Sequence, residues 1–166
     1  MTAKKTPVPQ LPSRCRLIDT HCHLDMDAYD DPAAIVRSAV QHGVTSIITV
    51  GIDPASSRKA TALARQFPGV WATVGIHPHN AARAESAELV QLGELAGDSG
   101  NKVVGYGEIG LDYARNYAPR HQQQKIFRSQ LALAKELNLP AVIHDREAHA
   151  ETMGILREMA PFPAGG

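Results

Sequence analysis

The run Asp19-Thr20-His21-Cys22-His23-Leu24-Asp25 sets two imidazoles two residues apart. In an extended strand residues two apart project from one face, so His21 and His23 can reach a single ion together. Cys22 then points the opposite way and reads as a buried structural thiol rather than a ligand. Neutral imidazole is the commonest metal ligand, and Asp19 or Asp25 could fix a tautomer from behind it. Two ordinary histidines at a strand end remain an open reading of this motif alone.

Three more polar clusters follow. In Gly75-Ile76-His77-Pro78-His79 the proline fits a strand exit, so Pro78 and His79 suit a turn. His77 is the better functional candidate, placed to meet an anionic substrate or an oxygen held by a metal. The run from Gly105 to Tyr113 carries Gly105, Gly107 and Gly110, which permit close backbone approach or positive φ. Glu108 within it can bridge two cations, or can be a solvated carboxylate at a loop start. No helix opens directly after these glycines, so they are not read as a dinucleotide-binding turn. Last, the apolar run from Pro140 ends in His144-Asp145-Arg146. His144 suits a metal and Arg146 a phosphate fork, unless Arg146 pairs with Glu147 or Glu151.

Alternating elements must hold these clusters. Apolar β-branched runs at 17–19, 45–50, 70–75, 103–107 and 141–144 are expected as strands, with helices near 32–41, 54–66, 86–96, 119–138 and 147–159. Asp31-Pro32 and Asp53-Pro54 each read as an N-cap followed by proline in the first turn. Ile126, Leu131, Ala134 and Leu137 give the fourth helix an apolar stripe. Strands alternating with helices predict an α/β fold with a parallel sheet. Strand onsets recur about every 31 residues, the unit length of an eight-unit (β/α) barrel. The chain holds five such units, and a five-stranded doubly wound sheet fits the same length. In either fold strand ends share one rim, so His21, His23, Glu108 and His144 would converge there as a hydrolytic metal centre.

The chain's 166 residues fit one domain, read as residues 17–166 behind a flexible extension of residues 1–16 rich in proline and basic side chains. Seventeen basic residues balance seventeen acidic ones, which excludes a broadly basic nucleic-acid coat. Any phosphate contact must be local, from side chains such as Arg115, Arg120 and Arg146. No apolar run approaches the roughly 18 residues of a membrane span. Two cysteines are too few for a disulfide framework, so a cytoplasmic location is expected.

DTHCHLD, GIHPH, GEIGLDY and FRSQLALAKELNLPAVIH, in this order, resemble the TatD family of metal-dependent deoxyribonucleases, amidohydrolase-like TIM barrels. The resemblance covers essentially residues 17–159 and includes Gln123, Phe127 and Gln130 in the family's Q-x-x-x-F-x-x-Q helix pattern. It implies one or two divalent cations (Mg²⁺, Mn²⁺ or Zn²⁺) held by His21, His23, Glu108 and His144, with His77 and Arg146 facing a phosphate. Glu108 and His77 would be the catalytic groups. It also implies hydrolysis of DNA phosphodiesters from a single-stranded or 3′ end, some relatives being linked to tRNA-borne substrates. Family members continue for about three more units bearing a further His and an Asp, so the native protein is expected to extend past Gly166. Asp145 stands where the family commonly has Ser or Thr. Two other readings are an inactive truncated fragment or binding module, and an amidohydrolase acting on C–N bonds.

Overall fold

The structure, a computed structural model, describes residues 15–26 and 30–165. All of the expected extension except the exposed Cys15 and Arg16 lies outside the described residues. The strands are β1 (Leu17–Cys22), β2 (Val44–Val50), β3 (Val70–Val74), β4 (Val103–Asp112) and β5 (Ala141–Arg146). Helices α1 (Pro32–Gln41), α2 (Pro54–Gln66), α3 (Ser86–Gly97), α4 (Arg120–Glu136) and α5 (His149–Met159) alternate with them. Every neighbouring pair of strands is parallel, and the sheet order is β1-β2-β3-β4-β5. A flavodoxin-type doubly wound sheet has order 2-1-3-4-5, so sequential order excludes it and leaves five consecutive units of a barrel. Among the described residues no helix is long and apolar enough to cross a membrane.

The helix starts form as their sequences require. Asp31 accepts from Ala34 N at 3.0 Å, satisfying a first-turn donor that has no partner within the helix. Asp53 accepts from Ser56 N at 2.7 Å while Ser56 Oγ accepts from Asp53 N at 3.0 Å, a reciprocal capping box. Small α2 residues Ala60 and Ala64 pack with Val36, Ile47 and Val70 in one core cluster. The second core joins Tyr106, Ile109 and Leu111 of β4 to Ile126, Phe127, Leu131 and Ala134 of α4, with Leu137 at its margin.

Three strands run further than expected, and this changes where the functional groups sit. Glu108 lies inside β4 rather than at a loop start, and His144 lies inside β5 rather than at its end. The cause is the glycine pair flanking Glu108. Gly107 and Gly110 have φ of 156° and 145°, where a Cβ would collide with the carbonyl oxygens of Val142 and His144 respectively. Without side chains there, β4 lies close against β5 and keeps pairing to Asp112. The pairing slips between Tyr106 and Ile109, which face Ala141 and Ile143, so β4 carries one extra residue. Such a bulge re-aims a side chain, here that of Glu108.

The turn expected at Pro78 and His79 is a 3₁₀ turn that runs on to Arg83, with His77 as its N-cap. Helix α5 begins at His149 rather than 147, because Glu147 takes a left-handed φ of 53°. Cys22, expected as a buried thiol, is partly buried: it packs against the first core, and its thiol donates to Ile48 O at 3.6 Å. Burial, followed by the charge of Asp19, pushes that thiol up to about 12.

Two buried glutamines on α4 take the place of strand partners. Gln130 accepts from Ile76 N at 2.7 Å and donates to Ile76 O at 2.9 Å, holding the chain as it leaves β3. Gln123 accepts from Asp112 N at 2.8 Å and donates to Asp112 O at 3.0 Å at the end of β4. A buried backbone group left unpaired costs about 1–3 kcal/mol, so Gln130→Leu, which strands two, should lower the unfolding free energy by about 3 kcal/mol. Urea denaturation would read this, and a loss under about 1 kcal/mol would show that the clamp is dispensable.

Candidate metal centre

The bulge aims Glu108 between two groups of imidazoles, and its two oxygens divide them. Oε2 lies 3.4 Å from His21 Nε2, and Oε1 lies 2.8 Å from His144 Nδ1 and 3.9 Å from His77 Nε2. The donor atoms of His21, His23 and Glu108 all lie within 4.8 Å of one another, as do those of His77, Glu108 and His144. That spread is close to what one cation gathers with bonds of about 2.0–2.2 Å. Imidazole nitrogens around a shared carboxylate are a donor set that suits Zn²⁺ or Mn²⁺ and admits Mg²⁺, so the residues present fit a divalent centre.

The groups behind these donors set which nitrogen is free. His23 Nδ1 lies 2.9 Å from Val50 O. A carbonyl can only accept, so Nδ1 bears the proton and Nε2 offers its lone pair. Asp19, one expected orienting residue, instead accepts from the backbone N of His21 at 3.1 Å. The tautomer of His23 is thus fixed by a carbonyl of β2 and not by an aspartate. On the other side, His144 Nε2 lies 3.2 Å from Asp112 Oδ2, which leaves Nδ1 facing Glu108. His77 Nδ1 accepts from His79 N at 3.2 Å, so a neutral His77 carries its proton on Nε2.

Electrostatics follow from burial and these contacts. Burial, with His144 adding to it, depresses His77 to about 4, so it is neutral at physiological pH. The hydrogen bond that His144 donates to Glu108 raises its pKa above the ordinary value, against the effect of burial. Burial works to raise Glu108, but the His144 hydrogen bond and the fields of His77, His144 and His21 bring it below the usual carboxylate range. Glu108 is therefore a largely buried anion met by imidazoles.

His21, His23, His77, Glu108 and His144 come together, and Arg146 does not. Arg146 ends β5 exposed, and among the described residues it pairs with neither Glu147 nor Glu151 nor the cluster. The carboxylate of Asp145 turns away from His144 to His149 Nδ1 at 3.0 Å. Sequence reasoning passed over His79, assigned to a turn, and Asp112, left without a role. His79 Nε2 lies 2.7 Å from Asp112 Oδ2, the oxygen that also faces His144. The signal was the GEIGLDY run itself: with β4 unbroken from Glu108, Asp112 reaches the same end of the sheet four residues on. A cleft of about 710 Å³ opens beside the cluster, lined by His23, His77, His79, Glu108, Arg83 and Tyr117 among others.

A barrel sector with a His/Glu cluster at the ends of its strands is the class of protein that fold and site define. The chain belongs to the TatD related DNase family, whose family model matches residues 18–165. It is 36% identical over 151 residues to the uncharacterized metal-dependent hydrolase YabD of Bacillus subtilis, covering 90% of this chain and 58% of that protein. It is 40% identical over 136 residues to the 3′-5′ ssDNA/RNA exonuclease TatD of Pantoea vagans, covering 81% of this chain and 52% of that protein. Among solved structures it resembles the TatD homologue YjjV of Escherichia coli with a TM-score of 0.80 and 33% identity, over 87% of this chain and 56% of that one. A TatD family hydrolase of Entamoeba histolytica shares the fold at a TM-score of 0.80 and 23% identity, over 87% of this chain and 55% of that one. The chain thus spans about half the length of the relatives it matches.

Asp112 gives the site a pH signature. Its side chain is fully buried, which by itself raises its pKa. The N–H of Arg115 at 2.8 Å and that of Ala114 at 3.0 Å, with His79 and His144 at the other oxygen, outweigh this and hold it at about 2 against 3.8. A carboxyl depressed by folding adds stability that is present above pH 4 and disappears as pH falls through 2. Asp112→Asn should therefore lower the unfolding free energy by about 2 kcal/mol at pH 7, with the gap to wild type closing as the pH falls from 4 to 2. Denaturation curves for both proteins across this range would test it; a gap independent of pH would contradict it.

Proposed function

We propose that the protein is a metal-dependent hydrolase that cleaves phosphodiester bonds at the 3′ end of single-stranded DNA or RNA. The observation that carries the reading is Glu108, whose two oxygens each face a separate set of imidazoles. In this reading His21, His23, Glu108 and His144 hold one or two divalent cations. When bound, such cations polarise phosphoryl oxygens and lower the pKa of water from about 15.7 toward 7.

The chain's own residues do the remaining work. His23 is held by Val50 O and His144 by Asp112, so both present a fixed nitrogen rather than a rotating ring. His77 is neutral, and the proton on its Nε2 faces His144 Nδ1 at 3.1 Å inside the cluster. It is therefore better suited to donating to a phosphoryl oxygen than to binding a cation, which supports its assignment as a substrate-facing catalytic group. Arg146, free of ion pairs among the described residues, can swing to a phosphate as the strand enters. The nucleic-acid substrate class and the phosphodiester chemistry rest on the names of relatives such as the exonuclease of Pantoea vagans, and metal-dependent hydrolysis on the donor set.

Glu108→Gln keeps the shape and removes the charge that offsets the cations. In the protein expressed from its complete coding sequence, Mn²⁺ affinity by calorimetry and nucleotide release from 5′-labelled single strands should both fall at least about 100-fold. Unchanged hydrolysis would reduce Glu108 to a structural carboxylate and overturn the reading.

A further inference from the structure

Tyr117 combines exposure with fixed placement. Its side chain is 63% exposed, although large apolar groups gain by burial. The loop that carries it is nevertheless pinned at several points. Gln123 accepts from Asp112 N at the loop's start and donates to Ala118 O at 2.8 Å, one residue after Tyr117. Asp112 Oδ1 accepts from Ala114 N and Arg115 N, and the left-handed Asn116 donates its side-chain N–H to Tyr113 O at 2.9 Å. The Tyr117 ring rests edge-on against His79, centroids 4.7 Å apart, and His79 is itself tied to Asp112. The rest of the ring lines the same cleft as Glu108, His77 and His23.

Scattered exposed apolar groups are ordinary, and Val40 and Val90 are of that kind. Tyr117 differs because its aromatic ring, carried on a loop pinned by these hydrogen bonds, lines the cleft that contains the candidate metal centre. Arg83 lines that cleft too, exposed and without an ion pair among the described residues, so a cation is available to a phosphate backbone within the same cleft. A rigid aromatic ring with a nearby guanidinium is how proteins bind single strands, the ring taking an unstacked base and the cation the backbone.

We propose that Tyr117 is the stacking platform for the nucleobase next to the phosphate presented to Glu108. The inference deepens the hydrolase reading and rests on it for the location of that phosphate. It also gives a physical basis for preferring single strands, because a base paired within a duplex cannot swing onto the ring.

The test uses a short single strand carrying 2-aminopurine at its 3′ terminus, titrated in EDTA so that no bond is cut. Stacking on Tyr117 quenches the fluorophore. Wild type and Tyr117→Phe should quench it and bind within about threefold of each other. Tyr117→Leu, which keeps bulk against His79 but has no ring face, should lose the quench and about tenfold or more in affinity. A probe with an abasic 3′ terminus should bind all three equally. No quench with wild type, or equal binding by Tyr117→Leu, would overturn the stacking role. Mn²⁺ calorimetry on the same preparations separates the two ideas. Mn²⁺ bound by wild type and by Tyr117→Leu alike, with affinity for the strand lost only in the latter, supports stacking and shows an intact fold. Quenching retained in a wild type that binds no Mn²⁺ supports stacking while removing the metal centre.

Discussion

A carboxylate that is largely out of water must be met by opposite charge or by hydrogen-bond donors, and Glu108 is such a group. Only 14% of its side chain is exposed. Leaving it unpaired would cost several kcal/mol, so the chain that delivers Glu108 must also deliver its partners. His21 comes from β1, His77 from the exit of β3 and His144 from β5, and a parallel sheet in sequential order is what brings these three to one carboxylate on β4. The bulge at Gly107–Glu108 then turns the carboxylate so that each oxygen meets a different group.

Behind the imidazoles lies a layer of groups that decides where they point. Val50 O holds His23, Asp112 holds both His144 and His79, and the backbone N–H of His79 holds His77. Asp112 is in turn fixed by Gln123, and the segment entering His77 by Gln130. Helix α4 thus clamps two strand exits with two amides seven residues apart, on the face that also buries Phe127 between them. The sequence pattern Gln123-Phe127-Gln130 is a packing face whose polar members replace missing strand pairs. This explains why glutamines belong in a core whose other members are apolar.

Much of this was legible in the residues. The paired caps at Asp31 and Asp53 placed α1 and α2 within a residue, because their donors are satisfied locally. His21 and His23 are legible because ligand types at alternate strand positions carry their own geometry, and Glu108 and His144 because the ends of parallel strands share one rim. What escaped was non-local. The length of β4 depends on two glycines admitting the β5 backbone, and a sequence read as punctuation by glycine ends the strand too soon at Gly107. The choice between a barrel and a doubly wound sheet lay in strand order, which unit length does not encode. Asp112 and His79 were missed for the same reason, since their pairing joins segments separated by the whole of α3. Arg146 was placed on the right strand but takes no part in the cluster, as its position at the end of β5 leaves it in solvent.

The central claim is that Glu108 is shared between two donor sets, and crystals soaked in Zn²⁺ test it most directly. Anomalous difference maps at the zinc edge should place a peak about 2.0–2.2 Å from Glu108 Oε2 beside His21 and His23, and a second at the same distance from Oε1 beside His144. Zinc bound elsewhere on the chain, with Glu108 still hydrogen-bonded to His144 and no anomalous peak at either oxygen, would contradict the account.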